Sequence, residues 1–101
     1  MYHSKQESPQ TDLLCDALVA LESREEAYRL LDDLCTIAEV QALAQRLEVA
    51  RMLRGGATYQ EIVRQTGAST ATISRVNRCL QYGAEGYGRV LNRMDKRKEE
   101  C

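Results

Sequence analysis

Threonines, serines and arginines crowd residues 58 to 78, TYQEIVRQTGASTATISRVNR, at spacings that set them along the outer face of a helix. Their chemistry is that of groove recognition. An arginine donates two parallel hydrogen bonds to guanine O6 and N7, serine and threonine reach bases or phosphates, and a small alanine or a threonine methyl touches the methyl of thymine. With Ile73, Val76 and Leu80 as the inward row of a helix starting at Ser69, the residues Thr70, Thr72, Ser74, Arg75 and Arg78 are directed outward, with Ala71 beside them. The free amides at the start of such a helix are a further place for a phosphate.

Two short helices and a tight turn are needed to hold those groups. Thr58 precedes Glu61 by three residues, the spacing of a capping box, and Ile62 and Val63 give the first helix an apolar face. Gly67 can take the positive φ of an abrupt turn, and Ser69 offers a second N-cap. Helices over about 58–66 and 69–81 then form a helix-turn-helix of the kind that reads a major groove. One residue departs from the usual pattern: the position four before the turn glycine, commonly small so that the helices can approach, is Val63, which implies an altered crossing angle. The bland alternative is two capped amphipathic helices with a glycine between them and no nucleic acid at all.

The chain as a whole sets limits. Its 101 residues allow one modest domain, a size at which oligomers often supply the missing burial. Phe and Trp are absent, so aliphatic side chains and tyrosine fill the interior, which suits helices. The polar opening MYHSKQESPQ has no apolar centre of a secretion signal, and no stretch reaches the roughly 18 apolar residues that cross a bilayer; a cytoplasmic protein with no membrane partner is expected. Cys15, Cys35, Cys79 and Cys101 show neither CxxC spacing nor companion histidines, which argues against a metal site or a disulfide framework. Reduced thiols filling small places on helices, plus one loose C-terminal thiol, are the expectation. The net charge of −1 conceals an asymmetry: residues 1 to 45 hold 3 basic and 9 acidic side chains, residues 46 to 101 hold 11 basic and 6 acidic. A basic C-terminal half suits phosphate, and an acidic N-terminal half suits a region held away from it. Nothing suggests an enzyme or a cofactor: paired carboxylates, an activated nucleophile and a phosphate-cradling loop are all missing from the pattern.

Upstream, residues 1 to 8 read as a disordered tail and 9 to 101 as a single domain. Pro9 and Thr11 introduce a first helix with Leu14, Ala17, Leu18 and Leu21 on one face. Ser23 with Glu26 caps a second helix that turns Ala27, Leu30, Leu31 and Leu34 inward. Thr36 with Glu39 opens a long third helix through Val40, Leu43, Leu47, Ala50 and Leu53 to the stop at Gly55 and Gly56. Since Ile37, Ala44, Val49 and Met52 place apolar groups on its other faces, a partner chain is the simplest cover. After the reader, YGAEGYG makes a flexible joint, and a last helix over about 86–97 presents Tyr87, Val90, Leu91 and Met94 to the core. No period-two alternation marks a strand, so the chain is all-α with six helices.

Those helices resemble the Trp repressor family, in its YerC/YecD-type branch, over nearly the whole chain. The matching residues are T-x-x-E-x-x-A-L at Thr36, Glu39, Ala42 and Leu43, M-L-R-G at Met52 to Gly55, Q-E-I at Gln60 to Ile62, and G-A-S-T-A-T-I-S-R at Gly67 to Arg75. The resemblance implies an intertwined homodimer, in which the N-terminal helices of two chains interlock, and a repressor of palindromic double-stranded DNA. By position it puts Gln60, Thr70, Ala71 and Ser74 against bases or phosphates, with Arg64 and Arg78 near the backbone. In the branch that needs a corepressor, an amino acid binds between the third helix and the reader; the matching positions are Thr36, Arg46, Arg75 and Cys79. Here the glycine that follows the arginine in that branch is Val76, and a hydroxyl position is Cys79, so tryptophan is not expected as the effector. Another small molecule, or none, remains open, and Arg75 then serves as a plain DNA contact. The rival reading is a helical dimerisation module that recognises protein, with its arginines merely solvated.

Overall fold

A computed structural model describes residues 2–100 of the backbone, with side chains to residue 98. Six helices follow in order: α1 (Pro9–Ala20), α2 (Arg24–Leu34), α3 (Ile37–Arg54), α4 (Tyr59–Thr66), α5 (Thr70–Tyr82) and α6 (Gly86–Glu100). No strand occurs among the described residues, so the all-α expectation holds. The thiol of Cys101 lies outside the described residues. None of the described helices is long and apolar enough to cross a membrane.

The chain divides into two compact units, Met1–Ile37 and Ala38–Cys101. In the first, local chemistry sets the helix ends. The segment before α1 carries a turn at Lys5 and Gln6, whose amide meets Ser4 Oγ at 3.0 Å. Ser8 caps α1, its hydroxyl accepting from the Thr11 amide at 3.0 Å, and Pro9 occupies the first helical position, where no N–H is needed. Ser23 accepts from the Glu26 amide at 3.1 Å, while Glu26 Oε1 reaches back to the Glu22 amide at 2.8 Å, one residue before the cap. Neither α1 nor α2 contains a buried residue. On the apolar face of α1, Ala17 and Leu21 are half-buried and Leu14 and Leu18 exposed; of the inward set expected for α2, Ala27, Leu30 and Leu31 are half-buried, and Leu34 is corrected to exposed. Two short helices cannot enclose an interior by themselves.

The second unit closes a core. Val49, Ala50 and Met52 of α3, Ile62 of α4, Ala68 of the turn, Ile73 and Val76 of α5 and Leu91 of α6 form one cluster, with Leu53, Ala57, Leu80 and Tyr87 packed at its edge. This corrects the reading of two helices. On α3 the enclosed side is Val49, Ala50 and Met52, whereas Leu43 and Leu47 of the anticipated main stripe remain 48% and 38% exposed. Among the described side chains of α6 only Leu91 is buried; Tyr87 is half-buried, and Val90 and Met94 are about half exposed. One chain of this size covers one face of α3 and leaves the other uncovered.

The connection after α5 is short. Gly83 ends that helix, its amide donating to the Cys79 carbonyl at 2.9 Å. A Cβ at Gly83 would sit 2.4 Å from that same carbonyl oxygen, so a side chain there collides with backbone. The left-handed φ of this joint falls on Glu85, at 69°, and not on a glycine. Helix α6 continues to Glu100, beyond the expected end near residue 97. Of the thiols, Cys15 and Cys79 are exposed and Cys35 is half-buried, all three free, which corrects the expectation that they fill small spaces.

Candidate nucleic-acid interface

The reader is built from its caps. Thr58 takes extended backbone angles and its Oγ1 accepts from the Glu61 amide at 3.2 Å, starting α4. Ile62, with no exposed surface, anchors that helix in the core. Gly67 ends it at φ 74°, ψ 4°, with its amide on the Val63 carbonyl. Nothing but glycine takes that left-handed angle at no cost in strain. Two residues later Ser69 begins α5: its Oγ accepts from the Thr72 amide at 3.1 Å and its hydroxyl donates to Thr72 Oγ1 at 3.1 Å.

Beneath that helix Ile73 and Val76 are fully enclosed. Their burial fixes which side of α5 faces out. Thr70, Ala71, Ser74, Arg75 and Arg78 are exposed along it, and Ser69 is exposed at its head. Thr72 is half-buried and tied to Ser69, so these two hydroxyls serve the cap. Gln60, in the first turn of α4, and Arg64, in its last, are both exposed. Val63 stays 38% exposed.

Several positioning contacts were not visible in the sequence. The Thr66 hydroxyl donates to the Ile62 carbonyl at 2.7 Å and accepts from the Ala68 amide at 3.1 Å, stitching the turn across Gly67. Ala68 itself is buried and makes the turn part of the core. From α3, Gln45 Nε2 donates to the Thr66 carbonyl at 3.1 Å, which satisfies a carbonyl at the end of α4. A longer contact, 3.4 Å from Asn77 Nδ2 to the Tyr59 hydroxyl, spans α5 and α4. Arg54, the last residue of α3, donates to Asn92 Oδ1 of α6. On the α3 surface the Arg51 guanidinium is pushed further towards its charged form by its hydrogen bond to Glu48 and by that carboxylate's charge.

The positions matched to an effector are distributed between units. Thr36 belongs to the first; Arg46, half-buried, and the exposed Arg75 and Cys79 belong to the second. Val76 does not border an open space there: it is 2% exposed and packs in the core. An open apolar hollow of about 430 Å³ lies against Leu47, Cys79, Ala84, Gly86, Tyr87 and Val90, so Cys79 alone of the four reaches it. Among the described residues no group of three or more His, Cys, Asp or Glu side chains is placed to hold a metal.

An all-α chain with a capped, glycine-turned helix pair on an aliphatic core defines the class. The chain belongs to the Trp repressor family, whose pattern, described as Trp repressor protein, matches residues 9–95. Among individual proteins it is 53% identical to the Bacillus subtilis (strain 168) protein YerC, described as uncharacterized, over 99% of this chain and 96% of that one. Two crystal structures superpose with TM-scores of 0.85 over 90% of this chain. One is a proposed Trp repressor from Staphylococcus aureus, 52% identical with 91% of its chain covered; the other is a TrpR-like protein from Eubacterium eligens, 49% identical with 94% covered.

Proposed function

We propose that this protein is a sequence-specific DNA-binding transcriptional regulator, a repressor that binds a palindromic operator as a homodimer. One observation carries the reading: a helix capped at Ser69, seated by Ile73 and Val76, turns a side bearing Thr70, Ala71, Ser74, Arg75 and Arg78 to solvent. That side combines the small, hydroxyl and guanidinium groups that a major groove accepts. From α4, Gln60 flanks it toward bases or phosphates and Arg64 toward the backbone, and the N-terminal end of α5, capped at Ser69, is a further place for a phosphate.

The exposed apolar groups support the dimer. Leu14, Leu18 and Leu34 in the first unit, and Leu43, Leu47, Val90 and Met94 in the second, are exposed apolar groups that a partner chain could cover. A second copy that lays its own α1 and α2 over these surfaces covers both sets. Burial of Val76 in the core supports a regulator that does not take tryptophan as its effector.

Anisotropy titrations of labelled duplex DNA test the reading. Affinity is expected to fall steeply between about 50 and 200 mM salt, and Arg75→Ala or Arg78→Ala to weaken it. Binding to protein partners without salt dependence, and none to DNA, would instead favour a dimerisation module.

A further inference from the structure

Helix α6 carries a row of cations that the groove reader does not use. Arg89, Asn92, Arg93 and Lys96 stand at i, i+3, i+4 and i+7, which a helix gathers into one stripe, and all four are exposed. The stripe's direction is fixed by Leu91, which is buried in the core on another side of the same helix. Among the described residues, no acid lies within ion-pairing distance of Arg89, Arg93 or Lys96. Asp95 falls outside the i, i+3, i+4, i+7 set.

The hydrogen bond from Arg54 to Asn92 Oδ1 seats a fourth cation against the middle of the stripe. Arg54 ends α3, four residues before Thr58, the cap of α4. The row therefore continues to the corner at which the reader begins. In helix-turn-helix proteins the first reader helix crosses the DNA backbone, so cations at its entrance face phosphates. Seven residues of helix span about 10 Å. One DNA strand presents about three phosphates over the same axial rise.

We propose that Arg54, Arg89, Arg93 and Lys96 form a phosphate-binding ridge that holds the DNA backbone beside the groove entered by α5. This rests on the reading of α4 and α5 as the DNA reader. The ridge adds affinity and length of contact and reads no bases, because point contacts to phosphate carry no sequence information.

The test uses the full chain, a duplex selected by the unaltered protein from a random pool, and the triple variant R89Q/R93Q/K96Q, checked for unchanged helicity and melting temperature. The slope of log K against log salt is expected to shrink by about 0.9 for each phosphate no longer neutralised, roughly 2 to 3 per chain. The preferred sequence stays the same, the outermost backbone protections in a hydroxyl-radical footprint disappear, and the charge-keeping variant R89K/R93K, with Lys96 unchanged, keeps slope and footprint. An unchanged slope in the folded glutamine variant overturns the ridge, and so does an altered sequence preference. Failure of the reader looks different: the unaltered protein then shows no salt-dependent binding to any duplex, or Thr70→Ala with Ser74→Ala leaves the selected sequence unchanged, and the ridge falls with it.

Discussion

The two units of this chain use the same devices at their helix ends and reach opposite outcomes in burial. Ser23 caps α2 as Ser69 caps α5, each hydroxyl accepting an amide three residues on at 3.1 Å. Yet α1 and α2 hold no buried residue, while the second unit encloses eight apolar residues in one cluster. Capping defines where a helix starts and says nothing about what covers its side. In the second unit the cover comes from four helices and a turn of the same chain. In the first no residue of α1 or α2 is enclosed, and a second copy is proposed to supply the cover.

The largest test of that contrast is a pair of truncations. Ile73→Ala removes a fully buried side chain and is expected to cost about 2–5 kcal/mol in thermal unfolding at any protein concentration. Leu14→Ala with Leu18→Ala is instead expected to lower the melting temperature most in dilute solution, because in the proposed dimer those leucines pack on a partner whose binding follows mass action. Equal losses at all concentrations would mean that the two leucines pack within one chain. Next comes Gly83→Ala, whose methyl would meet the Cys79 carbonyl; a loss of about 1–3 kcal/mol is expected from denaturant titration, with the connection to α6 displaced. Smaller effects follow at the caps. Ser23→Ala and Ser69→Ala should each cost about 1 kcal/mol of stability, but only Ser69→Ala should also weaken DNA binding in anisotropy titrations. Smallest is an expected null: calorimetry with tryptophan shows no heat of binding at micromolar concentration, whereas micromolar affinity would mean that Val76 leaves room after all.

Local signals made most of the fold legible. The caps at Ser23, Thr58 and Ser69 and the glycine at Gly67 are written within three or four residues, and the structure has all of them. Ser8 was readable by the same rule, as a hydroxyl directly before a proline at the first helical position. Choosing the enclosed side of α3 was beyond periodicity, because apolar residues lie on more than one face of that helix; Val49, Ala50 and Met52 were enclosed, and Leu43 and Leu47 were not. The contacts that brace the reader were hidden for another reason. Gln45 meets the Thr66 carbonyl 21 residues away, and Arg54 meets Asn92 at a separation of 38, distances over which no short pattern reports a pairing. Thr70, Ser74, Arg75 and Arg78 were legible as outward because the same inward row, Ile73 and Val76, that builds the core leaves them outside, whereas Thr72, also read as outward, is half-buried in the cap.

Selection of random duplexes on the purified protein, read by sequencing, addresses the role proposed for the α4–α5 pair most directly. A palindrome is expected, with half-sites one helical turn apart, about 34 Å, and with preferences that change when Thr70 or Ser74 is replaced by alanine. Recovery of no enriched sequence at low salt, from a protein shown to be folded, would contradict the assignment of the helix pair as a DNA reader.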